Sequence, residues 1–448
     1  MTPDTYIVTA VLLGLSLLIA MVRWPKVWIV TFLLSLPLFL TDTGTGINAR
    51  EVALGSFFSG TVILWMIWSV GRPDRVLIRH WFDFLLLLYV ILTGCNIVIA
   101  LLNNVDPIEW AADFSVVCLM LYYFPIREYF TQEEDLKLLL IVAAISSIGM
   151  AGFTVYMYKQ RMQDNGLMYA YQLVSSRSVT LAAVHLLGVL FAIAGLFYST
   201  FRVRVLLLIT AAVNAGALFL SFGRTLWVFF FVGVAMLMFF LRARQSVALA
   251  TGLVAAGVLA VAVAFKVNPR LAEIGTRVVT HRFTSSAQLS GGDLSFETRI
   301  IEAEAALRHI KRYPLGGKGL RHPFISYHPI EQGHHNTSFV HIGYIGIAMR
   351  QGIPMLILMM VILVMSTIMC WKGARQLPST GPYRLYKLVS IVMLINMPAL
   401  FGNIFMAGIF DQRYGNVMFA VIFACTGIAT EMLHRRTTAV TPDAPVLP

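Results

Sequence analysis

Charge is what this sequence has least of. Asp, Glu, Lys and Arg make up 12% of 448 residues, and the acidic kind is the scarcer, 22 against 34 basic side chains. The resulting net charge of +12 would suit a nucleic-acid partner only if it formed a soluble basic face. Here the cations lie between apolar runs, so no nucleic-acid role is expected. Cysteine is also scarce: Cys95, Cys118, Cys370 and Cys425 all fall inside apolar runs, which excludes a disulfide framework and makes them packing residues. HExxH and CxxC spacings are missing, and the only acidic cluster is Glu133, Glu134 and Asp135, so no metal site is expected. There is no internal repeat, no low-complexity tract and no cleavable signal pattern at the start, where a retained first span is expected.

What the chain has in abundance is apolar sequence. Its mean hydropathy is +0.77, and runs of about 20 apolar residues are what bilayer-spanning helices require. The expected fold is all-α, a polytopic helical membrane protein with about 12 transmembrane helices. Candidate runs are 5–22, 27–41, 53–71, 81–103, 108–125, 136–156, 179–199, 203–220, 225–241, 246–265, 353–371, 386–409 and 415–433. Of these, 27–41 is the weakest, being short and containing Pro37. Twelve spans and thirteen both remain open. The division expected is 1–265 as spans with short loops, 266–338 as one large loop, and 339–448 as an amphipathic return, the last spans and a short tail.

Basic residues set the orientation, because short cytoplasmic loops collect them. Alternate loops on one side hold 17 of them, from Arg23 and Lys26 to Arg435 and Arg436, against five in the other short loops, Arg50, Lys159, Arg161, Arg177 and Arg413. That bias puts 266–338 outside.

This long polar segment of 73 residues holds ten of the Lys and Arg and six of the ten histidines. Ser295 is positioned to cap a helix from Phe296, with Glu304 and Arg308 paired one turn apart and Pro314, Gly316 and Gly317 ending it. Arg299 then sits in the first turn, where the dipole disfavours a cation. It either reaches solvent or helps the free amides bind an anion. His334, His335 and Asn336 follow, either a surface pair or a source of a base active near neutral pH. Arg224, in the break Ser221–Thr225 between two apolar runs, either lies at the interface or lines a polar cavity. Planar guanidinium groups suit diphosphate oxygens and can neutralise a leaving diphosphate without a divalent metal.

The Ser221-Phe222-Gly223-Arg224-Thr225 break, Thr298-Arg299, the Tyr313-to-Gly319 turn, and His335-Asn336 with Gly346 ten residues after Asn336 resemble the O-antigen ligase and polymerase superfamily. The likeness runs over roughly 205–355, with Met349 near the place where a small or hydroxyl residue is expected. It implies a GT-C-like fold in the bacterial inner membrane with its active site facing the periplasm. It also implies a metal-independent, inverting transfer that needs no cofactor. The donor would be O-antigen on undecaprenyl diphosphate, the acceptor a sugar hydroxyl of lipid A-core oligosaccharide, and the surroundings inner-membrane lipids. His335 would be the general base, while Arg224 and Arg299 would bind the diphosphate. Arg277, Arg282, His334 and Asn336 are weaker candidates for substrate contact, and the Lys159–Arg177 loop offers Tyr169 and Tyr171 to glycans. An O-antigen polymerase would use the same donor chemistry, and a protein O-oligosaccharyltransferase is a further relative. A lipid-linked glycan transporter, the non-enzymatic alternative, would put charges within mid-span segments.

Overall fold

The computed structural model describes residues 14–39, 49–73, 75–165, 181–198, 201–287, 294–328, 332–406 and 413–440. Tyr169 and Tyr171 lie outside them. In chain order the helices are α1 Gly14–Arg23, then α2 Pro25–Phe39, α3 Ala49–Val70, α4 Trp81–Cys95, α5 Ile97–Leu102, α6 Pro107–Cys118, α7 Tyr123–Tyr129, α8 Glu133–Asn165, α9 Ala182–Leu196 and α10 Phe201–Leu220. They continue with α11 Arg224–Phe240, α12 Ala243–Val267, α13 Pro269–Ala287, α14 Leu294–Arg312, α15 Gly343–Gln351, α16 Ile353–Gln376, α17 Arg384–Met406 and α18 Arg413–Val440. Strands β1 Phe324–His328 and β2 Gly333–Thr337 stand between α14 and α15.

The chain is thus mostly helical, as expected, with the antiparallel β1–β2 hairpin as a small addition that the sequence did not predict. Among the described residues seven helical stretches are long and apolar enough to cross a membrane, and five apolar helices are shorter. The run 108–125 is not one helix. It breaks into α6, a 3₁₀ turn at Leu119–Tyr122 and α7, and Pro125 lies within the buried stretch from Val116 to Arg127. By contrast 27–41, expected to be the weakest, falls largely within one helix despite Pro37.

The chain forms two units. The first comprises Met1–Ser146, Asp293–Leu394 and Phe401–Pro448. Its centre is the broken α6–α7 segment, where the Phe32 and Tyr122 rings stack 3.7 Å apart and Phe82 meets Tyr123 and Phe423 edge-on. Asp106 caps α6 by accepting from the Ile108 amide at 2.7 Å, with Pro107 supplying the pre-set φ of the first helical position. Asp83, in the first turn of α4, accepts from the amides of Arg79 and His80 at 2.7 and 2.8 Å. It also pairs with Arg127 and takes the Tyr123 hydroxyl bond, so this buried charge is neutralised where it stands.

The second unit comprises Ser147–Gly292 and Ile395–Leu400. Helices α9 and α10 pack closely because Gly188 leaves room for Asn214, whose side chain would lie 2.9 Å from an added Cβ. Asn214 and Thr154 hold His185, buried between them at 3.2 and 2.9 Å. The segment 266–338 does not stay in one unit: α13 belongs to the second, and α14 with the hairpin to the first.

Candidate active site

The site in the first unit begins with α14, LSFETRIIEAEAALRHIKR. It starts at Leu294, so Ser295 lies inside the helix instead of capping it. Glu297 occupies the first turn, and His309, Lys311 and Arg312 the last, each sign where the dipole favours it. Arg299 therefore falls in the second turn, away from the free N-terminal amides, and the reading of a cation set against the dipole is corrected. What governs Arg299 is the helix stripe. Thr298, Glu302, Ala303, Ala305 and Ala306 are buried, and half-buried Arg299 lies one turn before Glu302 and Ala303.

After α14 the Gly-rich turn serves packing. Gly317 and Gly319 have φ of +67° and +100°, and an added Cβ would come within 2.4 Å of the Arg350 backbone or 2.5 Å of Ala100 Cα. The amides of Lys318 and Gly319 donate to the carbonyls of Met349 and Arg350 at 2.9 and 2.8 Å, tying the turn to the end of α15. The Lys318 ammonium donates to Asn103 Oδ1 at 2.8 Å and lies 3.9 Å from the Tyr313 ring centre. Arg321 turns to Asp113 at 3.5 Å. These two cations are engaged with α6 and the α5–α6 connection.

The hairpin pairs Phe324 with Thr337, Ser326 with His335 and Tyr327 with His334. Because strand side chains alternate, His335 shares a face with Phe324 and Ser326, whereas His334 and Asn336 occupy the other. Phe324 packs with Ala305, Ala306, Val340 and Met349, so the His335 face is the one turned to α14. Burying such a phenylalanine contributes roughly 1.5–3 kcal/mol, and it explains Met349: this fully buried residue fills the base of the hairpin. His334, His335 and Asn336 are themselves exposed. The His335 ring stands 5.6 Å from that of His328, and His334 stands 5.4 Å from Tyr327.

The strand exit carries residues that the sequence left unnoticed. Thr337 Oγ1 accepts from the Phe339 amide at 3.1 Å, Arg350 donates to the Ser338 carbonyl, and His341 Nδ1 meets Glu302 Oε2 at 2.6 Å. The signal for Glu302 was present, since an acid on the apolar stripe of an amphipathic helix needs a partner. His309 and His322 stand 6.0 Å apart. Burial and the nearby Lys318 ammonium push the His322 imidazole down to about 4 and lower His309 as well, so both are neutral at neutral pH.

In the second unit Arg224 is the first residue of α11. Ser221 Oγ donates to the Leu218 carbonyl at 2.6 Å and accepts the Gly223 amide at 3.2 Å, with Phe222 at φ +47°. Phe219 and Trp227 stack 5.3 Å apart beside this turn. Arg224, half-buried, thus stands at a helix start, where the dipole favours an anion, the position expected earlier for Arg299. Arg277, exposed on α13, pairs with Glu273 at 2.6 Å. Arg282 lies on the same helix, its side chain outside the described residues. The first unit thus carries Arg299, His334, His335 and Asn336, and the second Arg224, Arg277 and Arg282. Among the described residues no three His, Cys, Asp or Glu side chains are grouped as a metal ligand set.

Residues 209–360, from within α10 to within α16, match the family model described as O-antigen ligase. That stretch contains both arginines and the hairpin. No curated protein sequence matches the chain.

Proposed function

We propose that this chain, whose residues 209–360 match an O-antigen ligase family model, a match that supports the O-antigen ligase/polymerase superfamily, transfers O-antigen from undecaprenyl diphosphate to a sugar hydroxyl of lipid A-core oligosaccharide. The reaction is metal-independent and occurs at the periplasmic face of the inner membrane, the side to which the basic-residue bias assigns the loop. His335 takes the proton of the acceptor hydroxyl, and the oxygen attacks the anomeric carbon. The bond from that carbon to the diphosphate breaks, and its electron pair leaves with undecaprenyl diphosphate. Arg224 and Arg299 bind the diphosphate and offset the charge it gains. A single direct displacement inverts the anomeric carbon. Arg277, Arg282, His334 and Asn336 contact the substrates more loosely.

The observation that carries this reading is His335, an exposed imidazole on the hairpin face turned to the helix of Arg299, inside the family-matched segment. The test is ligation in cells lacking their own ligase, with wild type and His335→Ala at matched membrane expression. Wild type is expected to restore polysaccharide on lipid A-core, and the variant to leave polymerised donor unused. Chain lengthening on the lipid carrier in a polymerase-deficient strain would instead make the protein a polymerase. Full activity in the variant would remove His335 as the base.

A further inference from the structure

A polar clamp at the exit of the His335 strand joins it to the helix that carries Arg299. Glu302 is on α14, three residues past Arg299, and is 7% exposed. Its Oε2 accepts from His341 Nδ1 at 2.6 Å and faces the His341 amide at 3.4 Å. His341 lies six residues past His335, and the chain between them is pinned twice more, by the Thr337–Phe339 turn and by the Arg350 bond to the Ser338 carbonyl. A carboxylate this buried would be costly without a partner, and a ring and an amide of one residue supply it. The Phe339 ring, 4.9 Å from that of His341, packs against the imidazole edge-on.

We infer that Glu302 and His341 are positioning residues that set the His335 strand against α14, and hence the base against the Arg299 guanidinium. The inference rests on the roles proposed above for His335 and Arg299. Displacement needs a base and a leaving-group cation at fixed separation, and a misplacement of about 1 Å can cost about 100-fold in rate. The clamp acts by geometry. A side chain that keeps a donor at the Nδ1 position therefore suffices, and the imidazole itself does not touch the substrate.

The test compares His341→Ala, His341→Asn and Glu302→Ala in purified full-length protein, measuring kcat and KM for ligation together with hydrogen exchange of the Gly333–Thr337 amides. His341→Ala and Glu302→Ala are expected to lower kcat by about 10–100-fold with both KM values within about threefold, and to speed exchange in β2. Asn carries an amide donor where Nδ1 stood, so His341→Asn is expected to restore kcat and exchange to within about threefold of wild type. His341→Asn as impaired as His341→Ala in kcat, with normal exchange, would mean that the imidazole acts on the substrate and would overturn the inference. Wild-type exchange and kcat in His341→Ala would overturn it too. Should Glu302→Ala fail to fold, the two His341 variants decide alone. Absence of ligation by wild type would sink the functional reading, while the exchange comparison would still judge the clamp.

Discussion

The Asp83–Arg127 pair and the His335 strand are both polar islands in the first unit, and their surroundings differ in kind. The Arg127 and Asp83 side chains are 2% and 0% exposed, with Arg127 also donating to the Leu77 carbonyl at 2.7 Å and Asp83 taking the Tyr123 hydroxyl bond. His334, His335 and Asn336 are exposed on a hairpin whose anchoring falls to Phe324 and its neighbours. A charge buried in an apolar chain persists where its partner stands beside it, and it is then closed to a substrate. Exposed imidazoles contribute little to the fold and are open to chemistry. One cluster is therefore expected to hold stability, the other rate.

The sharpest way to break this contrast is to remove one member of each. His335→Ala is expected to lower ligation by about 100–10,000-fold while its unfolding free energy moves by less than about 0.5 kcal/mol. Asp83→Ala leaves a buried unpaired guanidinium and is expected to cost about 3–5 kcal/mol in thermal unfolding, with the rate per folded molecule unchanged. Replacing both partners, Asp83→Leu with Arg127→Met, is expected to recover most of that loss. A folded Asp83→Ala protein without activity, or an unfolded His335→Ala protein, would erase the distinction.

Gly352 sharpens the stability side. With φ of +89° and Leu315 O only 2.1 Å from an added Cβ, Gly352→Ala is expected to cost roughly 1–3 kcal/mol in the same unfolding measurement. Arg277 sharpens the rate side. Its exposed pairing with Glu273 contributes about 0–1 kcal/mol, so Arg277→Ala is expected to leave stability nearly unchanged. Donor KM should rise by less than about tenfold, or about 1.4 kcal/mol, as for a contact made equally in ground and transition states. The last expectation concerns pH. His322 has its folded-state value depressed to about 4, below an ordinary imidazole, so its contribution to stability is present above about pH 6.5 and fades as pH falls through about 4. Acid titration of His322→Phe, followed by unfolding, should show a shallower loss across that window.

Much of the membrane frame was legible in the sequence, because hydropathy is a sum over neighbouring side chains. The long stretches at 81–102, 243–267 and 353–376 fall where apolar runs were expected. The run 108–125 misled because a continuous apolar stretch looks alike whether it faces lipid or fills a core. Here its second half, from Val116 on, fills the core, with a 3₁₀ turn at Leu119–Tyr122 inside it. The hairpin went unseen because its strands, FISYH and GHHNT, are only five residues each, and the second is polar and lacks the β-branched alternation of an ordinary strand. Ser295 looked like a cap because a hydroxyl preceded a helical pattern, but α14 begins one residue before it.

By itself the sequence determined the membrane class, the positions of many helices, and the motif-bearing segment that matches an O-antigen ligase family model over 209–360. Each of these follows from residues close together along the chain. The tertiary structure alone decided that the Gly317–Gly319 turn packs against the end of α15 and that His335 shares a face with Phe324. It also decided that Glu302 pairs with His341, 39 residues away. Those outcomes depend on which distant groups meet and which polar atoms lose water together, and local composition carries no record of either.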